Sequence, residues 1–343
     1  MDMSFDGIFG LGEMQRLKDM RALDLLYTPA EERFDRITRL AARVLQSPMA
    51  MINFVAEESQ WTKSSFGWAG STIPREHSFC SQAIRDHHAL VVTDATEDDR
   101  FVNNPFVTGK PGIRFYAGQP LHTGAGSEVG TLCVMDTLPR QLGHDELETL
   151  QDLAVIVERE LARRGQGSFQ DTLIRNHDAQ ARRGSIDELT RTWNRAAVME
   201  LAHLECAAAS MGTPLSLLLI EIDNLGMVHE NFGTTMSDIV LHEVSSWIRR
   251  SVRESDTCGR YGSGTFLVML RAGILDSKLV AERVRDAVER QAIPGLPMQV
   301  TVSIGVACAR TRFPSPVALI AGADKALRQA KEAGSNNVET MLL

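Results

Sequence analysis

The chain is poor in cysteine and has no pair at metal-binding spacing. Its five thiols, Cys80, Cys133, Cys206, Cys258 and Cys308, are odd in number and far apart. Neither a disulfide framework nor a structural zinc site is expected from them. An excess of positive charge is also missing: 36 Lys and Arg stand against 44 Asp and Glu, a formal charge of −8. That balance argues against general nucleic-acid binding. Long apolar runs are absent as well. The most apolar stretch, residues 215–220, is broken at Ser216, far short of the ~18 consecutive apolar residues a membrane helix needs. The start, Met1-Asp2-Met3-Ser4-Phe5-Asp6, is acidic and lacks the basic-then-apolar order of a secretion signal. A cytoplasmic protein with no membrane contact is expected. What remains is an ordinary globular balance, 43% hydrophobic and 23% charged over 343 residues, long enough for two domains.

Residues 30–46 repeat apolar side chains at helical spacing (Phe34, Ile37, Leu40, Ala41, Val44, Leu45), which predicts an amphipathic helix stopped by Pro48. Residues 49–55 read as a buried strand, and further strands follow at 61–66, 90–93, 114–121 and 129–135. A short helix is expected at 79–86, and Pro, Gly and Asp clusters punctuate 94–99 and 108–112. Helical period returns at Leu147, Leu150, Leu153, Ala154, Ile156, Val157 and Leu161. Its spacing suits a coiled coil but spans too few heptads to demonstrate one. This pattern predicts an α+β domain over 20–163, an antiparallel sheet with flanking helices, after an N-terminal segment 1–19. Residues 164–184 are polar and weakly patterned, and read as a connector.

From 185 to 343 strands and helices alternate. Helices are expected at 195–210, 236–252, 278–291 and 317–333. Strands are expected at 214–222, 259–261, 266–270 and 299–307, with a tight turn over 262–265. The prediction is an α/β domain, a central sheet surrounded by helices.

The motifs of this half are specific. Asp187-Glu188-Leu189-Thr190 with Asn194-Arg195 looks like the opening signature of the GGDEF, or diguanylate cyclase, family. Arg191 stands where a glycine is usual there, and Thr192 where a leucine is. Leu219-Ile220-Glu221-Ile222-Asp223 resembles the family's metal-binding strand, and Arg260-Tyr261-Gly262-Ser263-Gly264-Thr265-Phe266 its hairpin. Ser303-Ile304-Gly305-Val306-Ala307, Ala323-Asp324-Lys325-Ala326-Leu327 and Ala330-Lys331 match its later signatures. The resemblance implies a nucleotidyl-cyclase-like fold. The first half resembles a GAF sensory domain through Ser78-Phe79-Cys80, Val92-Thr93-Asp94-Ala95, residues 112–118 and residues 130–136. That resemblance places Cys80, Arg114 and Tyr116 at a pocket for a small molecule that the sequence does not identify.

The family joins two GTP molecules into cyclic di-GMP, one held by each copy in a dimer, so a homodimer is expected. Two carboxylates hold divalent metal against the triphosphate. Here the first is Glu221 in place of aspartate, and the second falls on Gly264, which has no side chain. Thr265 replaces the next acidic residue, so Gly262, Ser263, Gly264, Thr265 and Phe266 form a degenerate hairpin with no catalytic residue expected. Gly226 stands for the family's lysine, His229 for its guanine-contacting asparagine and Ser335 for a phosphate-contacting arginine, whereas Asp238 and Lys331 are retained. Losing one oriented catalytic charge costs ~3 kcal/mol or more, about 100-fold in rate. No cofactor is therefore required, with Mg at Glu221 and Asp223 the weaker option.

Arg253-Glu254-Ser255-Asp256 forms an R-x-x-D in the register of the family's inhibitory cyclic di-GMP site. Arg250 and Arg260 stand near it in sequence as extra phosphate contacts. A guanidinium can pair with the O6/N7 edge of guanine, and a carboxylate can accept from guanine N–H groups. The expected function is a cyclic di-GMP receptor with a GAF sensor, passing its signal to a protein partner that the sequence does not name. Three rivals stay open: a weak cyclase using Glu221 and Asp223, a GTP-binding pseudoenzyme holding nucleotide at Glu221, Asp223, His229, Asp238 and Lys331, and a purely structural partner. Other candidates carry less. His77 and Cys80 lack further ligands for a metal. Asp98-Asp99-Arg100 reads as a solvated turn, and Gly262-Ser263-Gly264 lacks the Lys-Ser/Thr and helix of a phosphate-binding loop.

Overall fold

The structure, a computed structural model, describes residues 5–68, 72–162, 182–209, 214–309 and 315–343. The expected connector lies outside these residues except for 182–184. Contacts divide the chain into two compact units, Met1–Gly165 and Gln166–Leu343.

The first unit holds helices α1 (Phe5–Ala22), α2 (Glu32–Val44), α3 (Phe79–Asp86), α4 (Pro105–Thr108) and α5 (His144–Ala162). Its strands are β1 (Met49–Val55), β2 (Ser59–Phe66), β3 (Ile73–Pro74), β4 (Leu90–Val92), β5 (Phe115–His122) and β6 (Glu128–Asp136). They form an antiparallel sheet in the order β3-β2-β1-β6-β5-β4. Side chains alternate across a strand, so Met49, Met51 and Val55 of β1 meet Phe79, Cys80, Ala83 and Ile84 of α3 in one core. Helices α2 and α5 pack on each other and on the sheet. Two departures from expectation stand out. Helix α1 forms where only an N-terminal segment is expected, because Arg16 ties it to the sheet by donating to the Val55 carbonyl at 2.8 Å. Helix α4 forms just before the Gly-Pro cluster, capped by Asn104, whose side chain accepts from the Phe106 N–H.

The second unit holds α6 (Arg195–Ala209), α7 (Leu225–Ser251), α8 (Ile274–Glu289) and α9 (Pro316–Glu332). Its strands are β7 (Ser216–Ile222), β8 (Thr257–Arg260), β9 (Thr265–Leu270), β10 (Val302–Cys308) and β11 (Val338–Leu342). The sheet runs β11-β10-β7-β9-β8, antiparallel except for the β10–β11 pair. Central β7 splits its side chains cleanly. Leu218, Ile220 and Ile222 join the core under α7 and α8, while Leu217 and Leu219 join the core under α6 and α9. Gly305 of β10 lets α9 approach closely: a Cβ there would stand 2.0 Å from the Ala323 carbonyl oxygen. The sequence pattern missed β11 altogether. It also started α7 too late, because that helix begins at Leu225 and bends at Gly233, whose φ of 80° and ψ of 176° leave the helical region.

Candidate functional site

The strand face that holds Leu217 and Leu219 continues to Glu221, directly under α9. Lys331 in the last turn of α9 therefore reaches Glu221, and its Nζ donates to Oε1 at 2.5 Å. Asp223, just past the end of β7, is engaged at both oxygens. Ser303 Oγ donates to Oδ1 at 2.7 Å, while Thr301 Oγ1 at 2.7 Å and the Asn336 backbone N–H at 3.1 Å donate to Oδ2. It is buried and braces the end of β7 against β10 and the loop before β11. Glu221, one of the two carboxylates named for a magnesium ion, thus holds a lysine, and Asp223, the other, holds three donors.

The hairpin carries the same message. Tyr261 and Gly262 donate their backbone N–H groups to the Thr265 carbonyl at 2.8 and 3.0 Å, closing a tight turn. A Cβ on Gly264 would meet Leu225 Cδ2 at 2.8 Å, so an apolar side chain borders the position where the family's second carboxylate begins. Among the described residues no three His, Cys, Asp or Glu side chains are gathered to hold a metal ion as they stand. On α7, His229 is exposed and Asp238, beyond the Gly233 bend, is half-buried.

Arg260 was expected among the phosphate contacts, but it clamps the hairpin instead. Its Nη1 lies 3.2 Å from Asp187 Oδ2, its Nη2 donates to the Ser263 carbonyl at 3.0 Å and its Nε to the Gly262 carbonyl at 3.3 Å. Asp187 in turn accepts from the Thr190 backbone N–H and hydroxyl, which ties the opening motif to the hairpin. Arg191 takes φ 56° there, the left-handed conformation that makes glycine usual at this position.

The R-x-x-D segment is a turn between α7 and β8. The Asp256 carboxylate accepts from the Arg253 backbone N–H at 2.8 Å, and the Asp256 N–H donates to the Arg253 carbonyl at 3.0 Å. The Arg253 side chain points out and is exposed. Burial raises the Asp256 carboxyl above the usual aspartate range, opposed by the Arg253 N–H and by the charges of Arg253 and Arg283. Arg283 is a residue the sequence reading missed. It comes from α8, where its Nε donates to the Ser251 carbonyl at 2.8 Å, and its charge reaches Asp256. Nothing local in the sequence marks it, because the fold alone brings α8 to the turn. Arg250 is exposed at the last turn of α7. Behind the turn, buried Thr257 donates to Glu205 Oε1 at 2.5 Å, and burial raises the Glu205 carboxyl.

In the first unit, the three expected pocket residues belong to packed structure. Cys80 and Tyr116 are buried in the core of α3, where Phe79 stacks on Phe101 at 4.1 Å and on Tyr116 at 5.1 Å. Arg114 donates to the Val107 carbonyl at 2.9 Å and holds the loop that contains α4.

Comparison with known proteins adds to this geometry. The family model described as diguanylate cyclase, GGDEF domain, matches residues 184–337, and the GAF domain model matches residues 29–161. A cyclic di-GMP phosphodiesterase of Pseudomonas aeruginosa is 30% identical over 286 residues, 83% of this chain and 46% of that protein. Diguanylate cyclase A of Treponema denticola is 39% identical over 127 residues, 36% of this chain and 34% of that protein. The chain thus spans less than half the length of these two relatives. The solved GGDEF domain of DgcB from Caulobacter crescentus, in complex with c-di-GMP, is 27% identical. It covers 46% of this chain and 93% of its own, with a TM-score of 0.44.

Proposed function

We propose, for a chain that is a GAF domain followed by a GGDEF domain, that it serves cyclic di-GMP signalling as a receptor and does not synthesise the nucleotide. One contrast carries the reading: the R-x-x-D turn is formed and exposes Arg253, while the hairpin has lost its carboxylate beside Leu225. The site assigned is Arg253, Asp256 and Arg283, with Arg250 close by in sequence. Arg253 would pair with a guanine edge. Arg283, anchored through Nε, keeps its two terminal nitrogens for a phosphate or a second base.

The paired Lys331 and Glu221 favour this reading over a cyclase and over a GTP-holding pseudoenzyme. Both groups neutralise each other where the family binds metal and triphosphate. No helix among the described residues is long and apolar enough to cross a membrane, and a cytoplasmic homodimer signalling through another protein remains the wider proposal. The test is calorimetric titration of the full chain with cyclic di-GMP beside Arg253→Ala. Saturable binding at micromolar or lower concentration, lost in the variant, is the expected result. Absence of binding to the unaltered chain at several temperatures would reduce the R-x-x-D turn to an inherited relic.

A further inference from the structure

The sheet face under α3 holds a cluster of buried polar and thiol side chains. Asn53 of β1, Tyr116 of β5, Thr131 and Cys133 of β6 and Cys80 of α3 meet there, and none is more than 2% exposed. Strand register gathers them: across the β1–β6 pair Asn53 faces Thr131 and Met51 faces Cys133, and residues two apart share a face. The Asn53 amide donates to Cys80 Sγ at 3.4 Å and to Cys133 Sγ at 3.5 Å, and the Tyr116 hydroxyl donates to Cys80 Sγ at 3.4 Å. One amide nitrogen, that of Asn53, therefore lies within 3.5 Å of both sulfurs. Asn53 Oδ1 is buried with no hydrogen-bond partner.

A site needing only to be filled would be cheaper with apolar side chains, because a buried acceptor left unpaired costs free energy. The two sulfurs are also unequal. Burial alone would push the Cys80 thiol up, but the polar groups around it, Cys133, Tyr116 and Asn53 among them, outweigh burial and bring the thiol down to about 7. Cys133 goes the other way, raised well above the usual thiol range by its bond to Cys80 and by burial. Elsewhere burial pushes Cys206 and Cys258 up to about 12. The two sulfurs thus share one Asn53 donor and differ in acidity, while Cys206 and Cys258, outside this cluster, serve as reference thiols.

We propose that Cys80 and Cys133 are a redox pair that a peroxide converts to a disulfide, giving the GAF domain an oxidation-sensing input. The Cys80 thiolate attacks one peroxide oxygen, forming a sulfenic acid and releasing hydroxide. The Cys133 sulfur then attacks the sulfenic sulfur and water leaves with the Cys133 proton. Two thiols lose two electrons to one peroxide, and two waters form once the hydroxide takes up the proton first lost by Cys80. The new bond ties α3 to β6 and removes the thiolate that Asn53 and Tyr116 hold, so α3 must reseat against the sheet.

The experiment treats the reduced full chain with limiting hydrogen peroxide, quenches it in denaturing acid, alkylates the remaining thiols and maps peptides by mass. A Cys80–Cys133 cross-link lighter by two hydrogens is expected while Cys206 and Cys258 remain alkylated. Cys80→Ser and Cys133→Ser, both near-isosteric, each abolish the cross-link. Tyr116→Phe removes one donor and slows its formation roughly five- to tenfold. The proposal is overturned if Cys80 and Cys133 oxidise no faster than Cys206 and Cys258. Oxidation of Cys80 beyond the sulfenic acid with Cys133 still a free thiol overturns it equally.

Discussion

Gly264 offers no side chain where the resemblance puts a metal carboxylate, and Leu225 Cδ2 stands 2.8 Å from where its Cβ would begin. The contact is with the end of a flexible side chain, so a larger residue can enter if Leu225 turns aside. Restoring the missing carboxylate as Gly264→Glu therefore leaves a folded protein. It still makes no cyclic di-GMP from GTP, because Lys331 keeps Glu221 and Gly226 supplies no cation for phosphate. Chromatography of GTP incubated with the variant and magnesium checks this, and product from the variant or from the unaltered chain would sink the receptor reading. That Gly264 stands where the resemblance puts the second metal carboxylate is read from the sequence alone. The Lys331–Glu221 pair is not, since its members lie 110 residues apart and only the packing of α9 over β7 joins them. Arg283 was hidden for the same reason.

At the scale of elements, legibility followed clear boundaries. Strand β1 came out at its observed bounds as an apolar run after Pro48, buried along its whole length, and helix α3 at its own, with Ser78 capping it by accepting from the Ser81 N–H. Helix α1 shows how a segment without a strong apolar stripe can still dock. Leu17 and Met20 are buried, but polar contacts at Glu13, Arg16 and Arg75 fix the helix to the domain. Burial alone would raise the Glu13 carboxyl, but hydrogen bonds and charge from Arg16 and Arg75 bring it down to about 2. A carboxylate lowered on folding contributes stability that is complete above its unfolded value, 4.5, and is lost as pH falls toward 2. Amide exchange across α1 should rise over that window, and Glu13→Gln should show the faster exchange already at neutral pH. Unchanged exchange in the variant would mean that Leu17 and Met20 hold the helix alone.

For the whole molecule, each unit has its own core, and every residue assigned to the nucleotide site belongs to one of them. The clusters around β7 draw only on residues 186–338, and Arg253, Asp256 and Arg283 all lie between them in sequence. A unit with its own core and its own site is expected to act alone. Residues 182–343 expressed separately should therefore fold with a cooperative thermal transition and bind cyclic di-GMP as tightly as the full chain does. Weaker binding by this fragment would mean that the GAF domain either contributes a contact or holds the R-x-x-D turn in a competent state. In the second case nucleotide affinity and the state of the GAF domain become linked by one coupling free energy, equal in both directions. Cyclic di-GMP would then also change the rate or midpoint at which the GAF unit of the full chain opens, so calorimetric unfolding with and without the nucleotide separates a direct contact from such a linkage.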